Sequence, residues 1–410
     1  MRQIAATLLL GLVVAGPGYA MPLEEAVRKG IASNPQVRAA QAQEKAAATD
    51  VKIAKGGYYP NFSVGAGPRS FGFDDISYDV TVAQMLHDWG RVEGTVDSAR
   101  AAERKMGEQL RVRIDEAALE VVEVYLDIIV TQRQIAALDE HIAGLERIRG
   151  MTVDRSDAGY SDRSEPERAD LELARANEQL AIERGTLTNA RRQFLLLVGE
   201  DASALAEPSP ASVSRYTTGK DLTDLILASP THRVAAADTS VARAELKQAK
   251  AALFPQLNLE ASTLRRDLGG VARSDTMVAL RFRMNGIQGF SNFLRPRGAE
   301  QRIEAAIYNE GAIERDTKRD VQTLFDNADL MREREVSLAR QAETAATVGT
   351  TYVEQFGVGR RDLIDLLNNQ REAFEAKRQL IGLRIDRLRV EYRAAAKLGL
   401  LGPLVENRLQ

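Results

Sequence analysis

The sequence predicts a mixed α+β membrane protein in which one structural unit occurs twice. The first observation is a repeat, because residues 34–66 and 229–261 share a pattern at an offset of 195 residues. The second is a composition with 28% charged and 5% aromatic residues, which is typical of long helices rather than of a thick apolar core. The third is strict polar–apolar alternation in short stretches between the helices, which predicts two strands in each repeat. The matching positions of the repeat include Pro35 and Pro230, Lys52 and Lys247, and Pro60 and Pro255.

The N-terminal residues predict a secretory signal over residues 1–20. Arg2 supplies the positive charge, residues 8–15 form a short apolar stretch, and residues 18–20 provide a small-x-small cleavage site. The apolar stretch is too short to span a bilayer, although a retained anchor is the alternative interpretation. The chain has no cysteine, so disulfides, thiolate metal sites and lipid attachment after the cleavage site are excluded.

The first repeat predicts the order helix, strand, strand, helix, turn, helix. Its first helix is rich in alanine, is interrupted at Asn34 and Pro35, and ends where Gly56 and Pro60 follow. The next helix is long because it contains no proline, and Pro166 falls in the first turn of the last helix, where proline is tolerated. The predicted elements are a helix over 22–55, strands over 61–66 and 76–82, a helix over 92–153, a turn over 157–161 and a helix over 165–198.

The second repeat predicts the same order after a segment rich in Pro and Ser. Its elements are a helix over 221–253, strands over 257–262 and 275–284, an irregular insert over 286–298, a helix over 299–355, a turn over 356–359 and a helix over 362–398. We therefore divide the chain into a signal peptide over 1–20, a first repeat over 21–203, a linker over 204–220, a second repeat over 221–403 and a C-terminal tail over 404–410.

The four predicted strands have about the length that crosses a membrane at a tilt. Four strands cannot close a barrel, and an open sheet edge cannot face lipid, so three chains contributing twelve strands would have to share one barrel. One face of each strand is apolar, whereas the other carries charges that suit a water-filled lumen. A soluble β-sandwich, whose strands also alternate, is the alternative. The charged side chains are Asp79, Glu260, Arg281 and Arg283.

Aromatic side chains lie at the predicted junctions between helices and strands. Tyr58 and Tyr59 precede the first strand, and Trp89, the only tryptophan, follows the second. Such positions fit the aromatic belts that membrane proteins place at the membrane–water interface. Ordinary packing residues are the alternative interpretation.

The sequence contains no pattern that indicates an enzyme. The three histidines, His87, His141 and His232, lie in separate regions without the spacing of metal ligands, so no metal site is predicted. Neither a Gly-rich phosphate loop after a strand nor a Gly-x-Ser-x-Gly motif is present. The net charge of −3 gives no reason to expect a nucleic-acid partner. We therefore predict no catalytic residue and no cofactor.

Three stretches of the sequence resemble the TolC-like family of outer-membrane efflux proteins: residues 23–35, 84–91 and 352–367. The resemblance covers nearly all of the chain after the signal. It implies a homotrimer in the outer membrane of a Gram-negative bacterium, with a twelve-stranded β-barrel that continues into a twelve-helix tunnel in the periplasm. It further implies an exit duct that contacts membrane lipid, docks on a periplasmic adaptor and an inner-membrane pump of the ABC or RND type, and catalyses no reaction.

The resemblance also implies a pore constriction just after the second helical turn. The family places acidic side chains one turn apart there, and the matching positions are Asp365 and Asn368. Asn368 departs from the acidic pattern, and Asp362, one turn earlier, could partly compensate. Three aspartates in a ring would favour cations. The alternative is a solvated helix N-terminus, where Asp is favoured by the helix dipole.

The helical turn of each repeat is implied to be a tip that contacts the adaptor, so each protomer has two tips. Gly359 is expected to supply a positive φ or a close approach by the adaptor. Tyr160 departs from the small apolar residue that is usual in the first tip. The alternative interpretation of the two arginines in the second tip is that they are ordinary solvated charges. The implied docking residues are Gly159, Tyr160, Val358, Gly359, Arg360 and Arg361.

Among export systems, type I protein secretion is favoured, because the chain carries no cysteine for a lipid anchor. The outer-membrane component of a small-molecule pump for drugs or metals is the first alternative. A periplasmic coiled-coil adaptor is an alternative from a different class, although the paired strands at matched repeat positions do not fit it.

Overall fold

A computed structural model describes residues 20–68, 76–211, 222–268, 271–284 and 291–402. Residues 1–19 of the predicted signal peptide, residues 212–220 of the predicted linker and the predicted tail lie outside these ranges.

Eight α-helices and four strands in the described residues follow the predicted order twice, and a short 3₁₀ helix over Gly56–Tyr58 precedes the first strand. The long helices of the two repeats have equal lengths, since α3 and α7 contain 67 residues each and α4 and α8 contain 35 each. The doubled organisation that the repeat predicted is therefore present in the fold. The elements are α1 (Leu23–Ser33), α2 (Pro35–Lys55), β1 (Asn61–Pro68), β2 (Ile76–His87), α3 (Arg91–Asp157), α4 (Ser164–Val198), α5 (Leu222–Ala228), α6 (Pro230–Ala251), β3 (Gln256–Leu268), β4 (Val271–Arg283), α7 (Ser291–Gly357) and α8 (Leu363–Lys397).

The first helical segment of each repeat is interrupted at a capping residue followed by proline. The Asn34 side chain accepts hydrogen bonds from the backbone of the first turn of α2, at 2.8 and 3.2 Å. Ser229 caps α6 in the same way, with Pro230 at the first helical position. The prediction of one continuous helix over 221–253 was therefore wrong, because the equivalent break at Ser229 divides it into α5 and α6.

The irregular insert predicted over 286–298 was also wrong in part. Residues 291–298 belong to α7, and Pro296 lies near the start of this helix. As the sixth residue, it lies beyond the first turn, so it removes one intrahelical hydrogen bond near the start of the helix.

The four strands form one antiparallel sheet in the order β1-β2-β3-β4. They contain 8, 12, 13 and 13 residues, so all four are longer than the sequence predicted. β2 pairs with β3 and thereby joins the two repeats, while β1 and β4 are the edge strands.

The long helices pack side by side and continue from the sheet. Near the sheet, α3 packs between α2 and α6, and α6 packs against α7. Towards the far end, α3 packs against α4 and α8, and α8 packs against α7. The two helical hairpins α3–α4 and α7–α8 therefore lie side by side, and their turns are at the end furthest from the sheet.

The largest apolar core lies midway along the long helices, where α1 and residues 199–211 pack against α3, α4 and α8. The Tyr125 hydroxyl is 2.9 Å from the carbonyl oxygen of Met21 and 2.6 Å from that of Ala206. The Tyr392 hydroxyl donates to the carbonyl of Ser209 at 2.6 Å. The first half of the predicted linker is therefore held against the core by buried tyrosines.

Asp115 of α3 is a buried carboxylate that holds the end of the second repeat. It accepts backbone N–H bonds from Leu401 at 3.1 Å and Gly402 at 3.2 Å. Burial raises the pKa of Asp115 to about 6 from an ordinary value of 3.8, although the two N–H donors oppose this rise. The folded state therefore favours the protonated carboxyl. The free energy of unfolding falls as the pH rises from about 4 to about 6, because ionising the buried group costs free energy.

We expect Asp115→Asn to raise the melting temperature of the detergent-solubilised protein at pH 7.5 and to leave it unchanged at pH 4. The amide oxygen can still accept both N–H bonds but carries no buried charge, so the expected gain at pH 7.5 is ~1–3 kcal/mol. Thermal unfolding at the two pH values measures this difference. A loss of stability at pH 7.5 that is absent at pH 4 would contradict this, because it would show that the ionised carboxylate stabilises the fold.

Candidate channel surfaces

The sheet has one apolar face that is exposed to its surroundings. The register places Phe62, Val82, Ala261 and Val278 in one row across the four strands, pointing to the same side. Phe62 is 70% exposed and Val278 is 68% exposed, which is unusual for large apolar side chains in a sheet. This face suits contact with hydrocarbon.

The opposite face of the sheet carries the charges that the sequence assigned to a lumen. Glu260 is buried and lies between two arginines of β4, with Arg281 Nε 3.1 Å from its carboxylate and Arg283 hydrogen-bonded to its other oxygen. Asp79 is exposed on the same face and is paired in register with Gly65, so it stands apart from this cluster. The fold therefore brings three of the four predicted residues together.

The junction between β2 and α3 depends on Asp88 and Trp89, which belong to the stretch 84–91. The Asp88 carboxylate accepts backbone N–H bonds from Gly90 at 3.0 Å and Val92 at 2.6 Å, and so begins α3. Trp89 adopts a left-handed φ of 59°, and its indole N–H donates to the Pro255 carbonyl at 3.0 Å. The strand-to-helix junction of the first repeat is therefore tied to the helix-to-strand junction of the second.

Trp89 also stacks on Phe254, with ring centroids 5.0 Å apart, but remains 54% exposed. Tyr58 and Tyr59 are exposed at the neighbouring junction. The aromatic side chains therefore lie at one end of the sheet, where an interfacial belt is expected.

Both helical tips have the same backbone geometry. At the first tip, Gly159 has a φ of +78°, its N–H donates to Ser156 O at 3.0 Å, and the N–H of Tyr160 donates to Arg155 O at 2.9 Å. At the second, Gly359 has a φ of +74°. Its N–H donates to Phe356 O at 3.0 Å, and the N–H of Arg360 donates to Gln355 O at 2.9 Å. These are Schellman-type helix ends, and each requires glycine at the left-handed position.

Space plays no part in the choice of glycine at the tips, because a Cβ at Gly159 or Gly359 would meet no atom within 4 Å. Within this chain, the positive φ is therefore the reason for glycine at both positions. Tyr160 is 80% exposed and Val358 is 70% exposed, so each tip presents an apolar surface.

Arg155 joins the two tips, which the sequence did not indicate. Its guanidinium donates to the Phe356 carbonyl at 3.0 Å and lies 4.6 Å from the centre of the Phe356 ring. It also lies 3.6 Å from the Glu165 carboxylate at the start of α4. Phe356 is fully buried among leucines from α3, α4 and α8.

Arg361 is turned towards its own hairpin rather than outward. It forms an ion pair with Asp365 at 3.1 Å, donates to Gln355 Oε1 at 3.3 Å and lies 4.0 Å from the centre of the Tyr352 ring. Arg360 is exposed, so only one of the two predicted docking arginines faces solvent in the protomer. Asp362 is the N-terminal flanking residue of α8, and its side chain makes no capping hydrogen bond.

Asp365 and Asn368 lie on the same side of α8, in a groove between α7 and α8. Both residues are exposed in the protomer, and Asn368 Oδ1 accepts a hydrogen bond from Arg371 at 3.0 Å. Glu372, one turn further, lines the same groove and adds a carboxylate that the sequence analysis missed. The periodicity of 365, 368 and 372 along a helix could have indicated it.

The three histidines are far from one another and differ in environment. His141 of α3 stacks on Phe374 of α8, with ring centroids 4.5 Å apart, and burial lowers its pKa. His232 is buried 3.8 Å from Glu310, and His87 packs against Trp89. Among the described residues there is no cluster of metal-binding side chains.

Within the described ranges, no helix combines the length and the apolar character that crossing a membrane requires. Residues 26–200 and 222–399 match the family of outer membrane efflux proteins. The chain belongs to this family. The match confirms the family that the sequence resembled and covers both repeats.

Two solved structures share the fold of this chain. The VceC protein of Vibrio cholerae superposes with a TM-score of 0.79 at 13% identity, covering 92% of this chain and 96% of VceC. CusC superposes with a TM-score of 0.80 at 15% identity, covering 92% of this chain and 91% of CusC. Protein CyaE of Bordetella pertussis is 22% identical over 304 residues, which are 69% of this chain and 64% of CyaE. The chain thus matches less than two thirds of the length of CyaE.

The solved structures confirm the predicted α+β fold, and the family match confirms the predicted location in the outer membrane. The family is one of channels rather than of enzymes. The family match therefore excludes the periplasmic adaptor that the sequence left as an alternative.

Proposed function

We propose that three copies of this efflux protein form one closed barrel of twelve strands, and that the barrel and the helical tunnel beneath it are the exit duct of an export system. The sheet carries this proposal. Its apolar face is exposed, and β1 and β4 are its edge strands. Each unsatisfied backbone group in lipid costs several kcal/mol, so the edges must pair with other copies.

The lumen of this barrel is lined by the polar face of each sheet. Glu260 and its two arginines would then repeat three times around the wall, and Asp79 would add three exposed carboxylates. Mixed charges in a wide lumen allow hydrated solutes of either sign to pass. Selection of the cargo is therefore assigned to the inner-membrane pump.

Docking is assigned to the two tips of each protomer, through a periplasmic adaptor. Both tips combine a rigid glycine-dependent turn with an exposed side chain, Tyr160 in one and Val358 in the other. Because Arg361 is occupied within its own hairpin, Arg360 is the charge that remains available to the adaptor.

The export system that we propose is type I protein secretion, in which the pump is of the ABC type. The chain has no cysteine to carry a lipid anchor. Small-molecule efflux with an RND pump is the second candidate, and the description of the family as efflux proteins favours it. Deleting the gene separates the two, since loss of a protein from the medium supports secretion, whereas greater sensitivity to toxic compounds or metals supports efflux.

Barrel closure is tested by cross-linking the two edge strands. The chain has no native cysteine, so Val64→Cys on β1 and Val278→Cys on β4 introduce the only thiols. With a flexible bifunctional maleimide, we expect the double variant in membranes to migrate as a covalent trimer on a denaturing gel, because β4 of one copy meets β1 of the next.

The matched control is Val80→Cys with Thr263→Cys, which are direct partners on β2 and β3 of one chain. This pair should link within the chain, consume both thiols and migrate as a monomer. If the edge pair also stays monomeric while its thiols react, the shared barrel is refuted.

A further inference from the structure

The two edges of the sheet carry opposite charges on the lumen face. At the β4 edge, Arg281 and Arg283 share one carboxylate, that of Glu260, and about half of each arginine side chain remains exposed. One positive charge per copy is therefore left over at this edge. At the other edge, Asp79 of β2 is exposed, and no ion pair is found for it among the described residues. One negative charge per copy is therefore left over beside β1.

The Asp79 carboxylate leans across β1 towards the open edge of the sheet. Asp79 is directly opposite Gly65 of β1, and a Cβ at Gly65 would collide with the Asp79 carboxylate. Glycine at this position therefore lets the carboxylate lie over the backbone of the edge strand. Gly67 follows on the same face, so β1 itself offers no side chain there to cover the carboxylate.

The internal repeat indicates which part of β4 comes to lie opposite β1 in a closed barrel. β1 corresponds to β3 at the offset of 195 residues that relates the two repeats. In the first hairpin, Asn61 pairs with Ala83. In the second, Gln256 pairs with Arg283, so β2 corresponds to β4 at an offset of 200 residues. The helices α3 and α7, which follow these strands, also begin 200 residues apart.

The junction between β4 of one copy and β1 of the next, called the seam here, is the counterpart of the β2–β3 pairing within one chain. In that pairing, Ala83 is opposite Glu260. The equivalent of Ala83 is Arg283, and the equivalent of Glu260 is Gly65. A closed barrel requires a fixed stagger from strand to strand. Arg283 of one copy is therefore expected directly opposite Gly65 of the next.

This register brings the two left-over charges together. Neighbouring strands lie about 4.8 Å apart, so the Cα atoms of Arg283 in one copy and Asp79 in the next are separated by about 10 Å. A long arginine side chain and a carboxylate that already lies over Gly65 can close this gap. Within one chain the same two residues cannot meet, because Asp79 lies in the row of Asp275, eight residues from Arg283.

We propose that Arg283 of each copy binds Asp79 of the next copy across Gly65, so that three such ion pairs join the three copies on the lumen side of the barrel. The ion pair rests on the closed barrel proposed above, and it is incomplete in a single chain. A guanidinium has five N–H donors, so Arg283 can hold its own Glu260 and the carboxylate of the next copy together. Asp79, Arg283, Glu260 and Arg281 then form one chain of alternating charge.

Opposite charges at the two edges also select which strands pair. An antiparallel seam between two β4 strands, or between two β1 strands, would give a symmetrical dimer instead of a ring. Two β4 edges would bring Arg281 and Arg283 of both copies together, and two β1 edges would bring two copies of Asp79 together. Like charges that face each other across an interface are unfavourable, so the ion pair favours the ring.

The register at the seam is tested by disulfide formation, because the chain has no native cysteine. If Arg283 is opposite Gly65 of the next copy, Ala66→Cys with Phe282→Cys places two thiols directly opposite each other. Val64→Cys with Phe282→Cys is the matched control, because it is two residues out of register. A disulfide reports the register itself, whereas a flexible linker spans several residues along the strands.

Opposite Cβ atoms in an antiparallel pair lie about 5 Å apart and diagonal ones about 7–8 Å apart, and a disulfide needs the shorter distance. Oxidation in membranes is therefore expected to give at least about fivefold more covalent trimer from the first pair than from the control. Equal or greater yield from the control pair would refute the register, and the ion pair with it.

The ion pair itself is tested by reversing its charges. Asp79→Arg places like charges at every seam and should lower the temperature at which the trimer dissociates on a denaturing gel by about 10 °C. Arg283→Asp should lower it as well. Asp79→Arg with Arg283→Asp restores opposite charges and should recover at least half of the loss. Asp139→Arg, the same change at an exposed aspartate of α3 far from the sheet, should have no effect.

An absent ion pair and an absent barrel would give different results. If the unaltered protein forms no trimer at all, the shared barrel is refuted. If the unaltered trimer is present, but the double reversal is no more stable than the single variants, only the ion pair is refuted. Single reversals that leave the dissociation temperature unchanged, or that lower it no more than Asp139→Arg does, would refute the ion pair in the same way.

Discussion

Gly359→Pro is expected to abolish export while the trimer still assembles. Proline fixes φ near −65°, whereas Gly359 has a φ of +74°, and proline lacks the N–H that donates to the Phe356 carbonyl. The turn between α7 and α8 must therefore rearrange, and the tip loses its shape. The barrel and the mid-chain core are far from this turn, so assembly is expected to survive.

Export and assembly are measured on the same cells. Secreted cargo or toxin resistance reports export, and heat-modifiable migration on a gel reports the trimer. Gly359→Ala is the milder control. Alanine keeps the N–H, and only the left-handed φ destabilises the turn, by about 1–2 kcal/mol. It should reduce export partially. Normal export by an assembled Gly359→Pro trimer would show that export does not depend on the shape of this tip.

The main elements of this fold could be predicted from the sequence because each has a local cause. The repeat revealed the doubling, alternation revealed the strands, and glycine and proline marked most boundaries. The break at Ser229 was missed although Ser229 aligns with Asn34 and offers the same signal, a capping residue followed by proline. The structure shows that both residues cap the following helix.

The contacts between repeats could not be predicted, because they depend on which distant helices become neighbours. Arg155 and Phe356 are 201 positions apart, and Asp115 and Leu401 are 286 apart. Each looks like an ordinary helix residue in the sequence. Arg104 and Arg243 likewise come together only because α3 packs against α6.

The positions of Asp365 and Asn368 came from the resemblance to the family, and their role in a constriction remains a prediction. The structure adds that Asp365 is not a free carboxylate, because it forms an ion pair with Arg361 at 3.1 Å. Half-exposed pairs of this kind are weak, and they exchange readily with mobile ions. The cation affinity of the ring should therefore depend on Arg361 as well as on Asp365.

Asp365→Ala is expected to weaken the block of single-channel current by divalent or trivalent cations about tenfold, because three carboxylates are lost from one ring. Arg361→Gln is expected to strengthen the block, because it releases Asp365 from its partner. The two changes alter the charge of the ring in opposite directions at nearly the same place. Planar-bilayer recording with cations added to the periplasmic side measures both.

Asp329→Ala is the matched control for this experiment. Asp329 is an exposed aspartate of α7 with its own arginine, Arg332 at 2.8 Å, and it does not line the groove that contains Asp365. Its removal should leave the block unchanged. If Asp365→Ala and Arg361→Gln both leave the block unaltered, the negative ring lies elsewhere, and Glu372 becomes the carboxylate to test, since it faces the same groove. A change in the same direction for both variants would instead indicate that the ion pair acts on the width of the tunnel rather than on its charge.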